Sequence, residues 1–168
     1  KLVEKYFGAI PRGPEVNPVV VPPANLKQDR YVSYTDNYAR LPLLSIVYPT
    51  VPNYHKDMGA LACLAQVLGQ GRNSVMYQQL VKKQLALQAS GFSSLSELAG
   101  EFMFQISPAP GKTLASMDSL FRSALDSFEL RGVTDEDVAK FEGGIESQQI
   151  NGLQSVSGKV SQLASFQT

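Results

Sequence analysis

The clearest alternation in the chain runs from Glu97 to Ser107. Leu98, Gly100, Phe102, Phe104 and Ile106 fall on one side; Ala99, Glu101, Met103, Gln105 and Ser107 fall on the other. Successive side chains of a strand point to opposite faces, so the pattern predicts a β-strand with one apolar face. Such a strand satisfies its backbone only by pairing with other strands, and it hides its aromatic face only beneath a second layer. The rest of the chain must supply both. Pro108 and Pro110 end the run.

Three further stretches read as strands. Arg30 to Asp36 alternates Tyr31, Ser33 and Thr35 with Val32 and Tyr34, all good β-formers. Leu41 to Tyr48 is nearly continuous in Leu43, Leu44, Ile46 and Val47, which suits a buried strand, and Pro49 and Pro52 close it. Ala86 to Ser94 is the last. Between them, Asn53 is placed to cap a helix reaching Leu68, with Leu61, Leu64, Ala65 and Leu68 on one face. Gly69 stops that helix, and Asn73 or Ser74 caps the next, whose apolar stripe is Met76, Tyr77, Leu80 and Val81. Gly111 to Leu130 reads as an amphipathic helix through Leu114, Met117, Phe121, Ala124 and Phe128. Thr134, followed by Asp135, Glu136 and Asp137, starts a final helix with a buried stripe expected at Val138, Phe141 and Ile145. Its glycines, Gly143, Gly144, Gly152 and Gly158, predict a bend or a close backbone approach. Strands in pairs followed by helices in pairs predict an α+β fold: an antiparallel β-sheet with α-helices packed on one face. The other face is left solvated or free to line a cavity.

Both ends read as interrupted helices. Leu2, Val3, Tyr6 and Phe7 form the last turns of one; Val156, Val160, Leu163 and Phe166 run out uncapped. The expected organisation is the end of a preceding domain's last helix over 1–10, a Pro/Gly-rich linker over 11–29, and a second domain over 30–168 that is cut short at its C-terminus. Pro11, Pro14, Pro18, Pro22 and Pro23 keep the linker extended, and Val19, Val20 and Val21 are placed to touch a sheet edge.

The chemistry that this inventory permits is narrow. Fifteen basic and fifteen acidic residues cancel, so no long-range field draws nucleic acid or anionic lipid. No run approaches the ~20 apolar residues of a membrane-spanning helix. Cys63 is the only cysteine, which excludes an internal disulfide, and it lies on an apolar helix face. His55 is the only histidine, so the His-x-x-Glu-His zinc pattern cannot be built, and Cys63 does not complete a three-ligand set with it. No Gly-x-Ser-x-Gly elbow is present for a serine nucleophile. Gly111-Lys112-Thr113 resembles the end of a phosphate loop, but the glycine that the loop requires is replaced by Ile106, inside the strand. Gly69-Gln70-Gly71 follows a helix rather than a strand, the wrong setting for a dinucleotide fingerprint. The acidic run at 135–137 reads as favourable charge at a helix start. Lys82 and Lys83 read as a solvated helix end with the capacity to hold a carboxylate.

The run Leu68-Gly69-Gln70-Gly71-Arg72-Asn73-Ser74-Val75-Met76-Tyr77-Gln78-Gln79-Leu80-Val81 resembles a segment of the second domain of zinc peptidases of the pitrilysin, insulinase and mitochondrial-processing-peptidase family, peptidase family M16. Other pieces come in the family's order: Val3 to Pro11 into the linker, Ile46 to Thr50 with Asp57, Ala60 and Leu61, then Ser93-Ser94-Leu95, Leu98-Ala99-Gly100, Pro110-Gly111 and Gly132-Val133-Thr134. The resemblance implies a metal-free domain without catalytic or metal-ligating residues of its own. It would form part of a chamber that encloses peptide or unfolded-protein substrate for hydrolysis at a zinc held by another domain. It implies homologous domains as partners and a bacterial periplasm or cell envelope as the setting. Arg72, Tyr77, Lys82 and Lys83 are the residues expected to face substrate or partner. Members that contribute an Arg and a Tyr after the glycine turn would place them near Val81 and Leu87; both positions are apolar here. That departure suits the second domain of the metal-bearing half. It also suits a non-enzymatic scaffold relative, such as a core subunit of a respiratory complex.

Overall fold

The computed structural model describes residues 1–17, 19–22 and 24–167. Pro18 and Pro23, both counted in the linker, lie outside the described residues. In chain order the elements are helix α1 (Leu2–Phe7), strand β1 (Leu44–Thr50), helix α2 (Met58–Gly69), a π-helical turn (Tyr77–Val81), strands β2 (Ala86–Leu95) and β3 (Gly100–Pro108), and helices α3 (Leu114–Arg131), α4 (Asp135–Gly152) and α5 (Val156–Gln167). The three strands form one antiparallel sheet in the order β1-β3-β2. The fold is α+β, as the sequence predicts.

The strictly alternating strand takes the centre of the sheet. Phe102, Phe104 and Ile106 are buried on its inner face, opposite Tyr48, Ile46 and Leu44 on β1 and Ser93, Gly91 and Ala89 on β2. Helix α3 lays Met117, Phe121 and Ala124 over them, with the Phe121 ring 4.8 Å from that of Phe104 at a 64° tilt. Such edge-on aromatic packing contributes about 1 kcal/mol beyond the burial itself. Helix α2 adds Ala65 and Leu68 to the same core, so both helices cover one face. Its last residue meets β2 through two glycines. A Cβ on Gly69 would overlap the Gly91 backbone, and a Cβ on Gly91 would stand 2.8 Å from the Phe104 ring.

Several expectations are corrected. Arg30–Asp36 forms no strand; it has no regular secondary structure and is exposed, because β-forming residues alone do not pair a backbone. Val19–Val21 are likewise exposed and join no sheet. The first long helix starts at Met58 rather than after Asn53: Tyr54 adopts a positive φ of 62°, and the Asn53 N–H donates to the Ser96 carbonyl instead of starting a helix. The second helix is a π turn, in which the Lys82 and Leu85 amides reach back five residues to Tyr77 and Leu80. The stripe Val138, Phe141 and Ile145 is only partly covered, since α4 stands off α2 across an apolar groove of about 510 Å3. The glycine expectation holds in both senses. The helix breaks between Gly152 and Val156, and Gly158 packs directly against the Gly152 carbonyl.

Candidate substrate-facing surface

With α2 and α3 on the inner face, the outer face of the sheet presents three cross-strand rows. Val47, Met103 and Phe92 form the middle one. Ser45, Gln105 and Ser90 flank it on one side; Pro49, Glu101 and Ser94 flank it on the other. Val47 remains 43% exposed, and Phe92 and Met103 are half-buried. The Gln105 amide donates to the Met103 sulfur at 3.6 Å, which holds the thioether in the row. An apolar band between polar rows, on a sheet face opposite the helices, offers contact area to an extended chain without selecting one sequence.

A cationic corner lies at the end of α2. Gly71 turns the chain with φ 76°, and the buried Ser74 fixes the turn of helix after it. The Ser74 hydroxyl donates to the Gly71 carbonyl at 2.8 Å and accepts the Tyr77 N–H at 3.4 Å. Of the two caps the sequence allows, Ser74 is the one used. The Gln78 side chain donates to the Arg72 carbonyl at 2.6 Å and accepts from Lys82 Nζ at 3.1 Å, joining the turn to the helix end. Lys83 donates to Gln79 in the same way. Among the described residues no carboxylate pairs with Arg72, Lys82 or Lys83. Of the four candidates from sequence, Arg72 and Lys82 are thus linked through Gln78 at an exposed corner, while Lys83, also exposed, bonds separately to Gln79. Tyr77 does not join them as an exposed group: it is half-buried at the start of the π turn, and its carbonyl accepts the Lys82 N–H. Sequence reading missed Gln78, since a glutamine at helical spacing from a lysine carries no distinctive pattern. Val81 is packed against the core, and Leu87 is 50% exposed at the register shift of β2.

The remaining chemistry-bearing residues are occupied by local structure. His55 Nδ1 accepts the Asp57 N–H at 3.2 Å, and the Asp57 carboxylate lies 3.4 Å away. Among the described residues no three His, Cys, Asp or Glu side chains converge as metal ligands, so a catalytic zinc does not fit this donor set. Cys63 lines the α2–α4 groove. Burial pushes its thiol up, and the nearby Asp137 and Glu142 carboxylates push it the same way, which disfavours the nucleophilic thiolate. Gly111 (φ 81°) forms a turn and Thr113 caps α3, leaving no phosphate cradle. In the acidic run, Asp137 closes a capping box with Thr134 and pairs with Arg131 at 3.0 Å, while Glu136 pairs with Lys140.

This geometry, an α+β domain with an open sheet face and no converging metal-ligand cluster among the described residues, accords with what the chain is similar to. The family model described as the peptidase M16 inactive domain matches residues 1–141, and the chain belongs to that family. Solved structures agree on the fold. A protease from Helicobacter pylori superposes with a TM-score of 0.70 at 23% identity, over 78% of this chain and 32% of its own. An inactive peptidase domain from Bordetella parapertussis gives 0.63 at 18% identity, over 73% of this chain and 67% of its own. A peptidase M16 inactive domain from Pseudomonas fluorescens gives 0.59 at 16% identity, over 72% of this chain and 28% of its own. The chain thus spans about a third of the Helicobacter pylori protease. Comparison with curated proteins gives no match.

Proposed function

We propose that this chain is the metal-free companion domain of a zinc metallopeptidase, and that it walls the chamber in which another domain hydrolyses peptide. Residues 1–10 close the preceding domain, and 11–29 link it to this one. The observation that carries the reading is membership of the inactive-domain family in a chain whose single histidine has no converging ligands among the described residues. The outer sheet face supplies the wall. Its apolar row tolerates varied side chains, and its polar flanks can meet an unfolded backbone. Arg72, Lys82 and Lys83 face substrate carboxylates or the partner domain, and the homologous metal-bearing domain is the partner.

The purified chain is expected to leave unfolded protein and fluorogenic peptides intact, with or without added zinc. Chelator-sensitive cleavage by the chain alone would overturn the reading. Restored to the full-length protein, the domain is expected to support chelator-sensitive peptide hydrolysis. A full-length protein that lacks hydrolysis with zinc supplied would instead place the chain among scaffold relatives of the same fold.

A further inference from the structure

We propose that the cleft between α2, α4 and the end of β2 binds a small neutral ligand rich in hydroxyls, of the class of a pyranose monosaccharide. The inference is independent of the proposed function, because this cleft lies on the helix side of the sheet and the proposed wall is the other side. The cleft has a volume of about 230 Å3. Ala62, Gln66 and Gln70 enter it from α2 and its C-cap at intervals of four. Phe141, Ile145 and Gln148 enter it from α4 at intervals of four and three. Residues so spaced share one side of a helix, so each helix turns a single row toward the cleft. Ser93 of β2, opposite Phe102 on the inner face of the sheet, completes the lining.

The polar groups of this lining are neutral and unengaged. Among the described residues no charged side chain lines the cleft. The Ser93 hydroxyl is shut off from solvent and has no hydrogen-bond partner, a state that costs free energy until a partner is found. The glutamine side-chain hydrogen bonds among the described residues belong to Gln78, Gln79, Gln105 and Gln154; none belongs to Gln66, Gln70 or Gln148. The Gln66 carboxamide reaches across to α4, where a Cβ on Gly144 would stand 3.7 Å from its Nε2. Three carboxamides and one hydroxyl, carried by three different elements, thus border one small space.

Their chemistry selects the ligand. A carboxamide both donates and accepts, so it pairs with a hydroxyl in either sense. A charged ligand would leave its charge unpaired here, and an apolar one would leave the carboxamides without partners. Hydroxyls spread round a ring meet polar groups that come from several directions, which a lone amide or alcohol does not. The carbon face of the same ring finds Ala62, Ile145 and the Phe141 ring. An apolar wall with a few directed polar groups is the usual form of a small-molecule site. Sites for drug-sized ligands start at about 300 Å3, so this cleft suits one sugar ring rather than a longer ligand.

Nuclear magnetic resonance of the whole chain tests this, with the side-chain amide signals of Gln66, Gln70 and Gln148 followed as glucose, galactose or mannose is added. At about 100 mM sugar, above the millimolar affinity expected of a few hydrogen bonds, at least one of the three is expected to shift all three signals to saturation. Gln66→Leu and Gln148→Leu are each expected to weaken that binding about tenfold. Gln148 is exposed, so its replacement leaves the fold alone, and near-UV circular dichroism checks both variants. Glucuronate and glucosamine, which carry a charge, are expected to bind roughly tenfold more weakly than the neutral sugar. Absence of a shift with all three sugars overturns the proposal. So do shifts that never saturate, that glycerol reproduces, or that survive both substitutions.

Discussion

Asp137 joins two helices through one carboxylate. Its Oδ2 accepts from the Thr134 N–H at 3.1 Å and the Thr134 hydroxyl at 3.0 Å, and it pairs with Arg131 at the end of α3. Burial works to raise this carboxyl, but the two Thr134 hydrogen bonds and the Arg131 charge hold it below the ordinary carboxylate range. A carboxyl whose folded pKa is depressed contributes stability above its unfolded value, about 3.9, and loses it as pH falls through the folded value. Wild-type stability is therefore expected to fall below about pH 4 in part through this group. Asp137→Asn should be less stable at pH 7 and should show a shallower acid loss, read by urea unfolding at several pH values. An unchanged acid slope would assign the loss to other carboxylates. Cys63, by contrast, is kept as a thiol by burial and two carboxylates, which fits a packing role better than a reactive one.

At the scale of elements, the glycines divide by what surrounds them. Gly69 and Gly91 let the end of α2 settle onto β2, and a methyl at Gly69 meets backbone that cannot turn aside. Gly69→Ala is expected to cost on the order of 3 kcal/mol, because helix and strand must separate. Gly143 lies within α4 with nothing near a prospective Cβ. Gly143→Ala is expected to raise stability by about 0.5–1 kcal/mol, through helix propensity and a less flexible unfolded chain. Urea midpoints of the two variants should move in opposite directions; a matched fall would mean that α4 needs its glycine for an unseen contact. The sheet shows how far sequence reaches at this scale. The run 97–107 announces β3 because a half-buried strand must alternate. Arg30–Asp36 alternates as well, yet stays unpaired, since pairing depends on a neighbour that no local pattern encodes. The π turn escaped for a related reason: Met76 and Leu80 are buried at α-helical spacing, and one widened turn leaves that spacing intact.

Over the whole molecule, the packed mass begins at β1. Helix α1 and the described linker residues are exposed, and Asp29 pairs with Arg122 of α3. Removing residues 1–27 is therefore expected to shift the melting temperature by less than about 2 °C, since a loss of about 1 kcal/mol would already move it that far. A larger fall would show that α1 docks on the domain. The candidate surface was half legible from sequence. Arg72, Lys82 and Lys83 could be picked out because they come after the glycine turn, but the Gln78 bridge that gathers two of them depends on how the π turn folds back. The outer apolar row was not legible at all, because Val47, Met103 and Phe92 become neighbours only when three strands align in register.

The sequence by itself settled the α+β class, the family, the Thr134 cap and the lack of histidines for a zinc site. Each derives from residue identity or local spacing, and spacing within one element survives into the fold unchanged. The tertiary structure alone decided which predicted strand finds a partner, where α2 begins, how closely α4 approaches it, and which side chains share the outer face. Those outcomes depend on register and on the shapes of surfaces that meet across long stretches of chain, and neither quantity is written in any single window of residues.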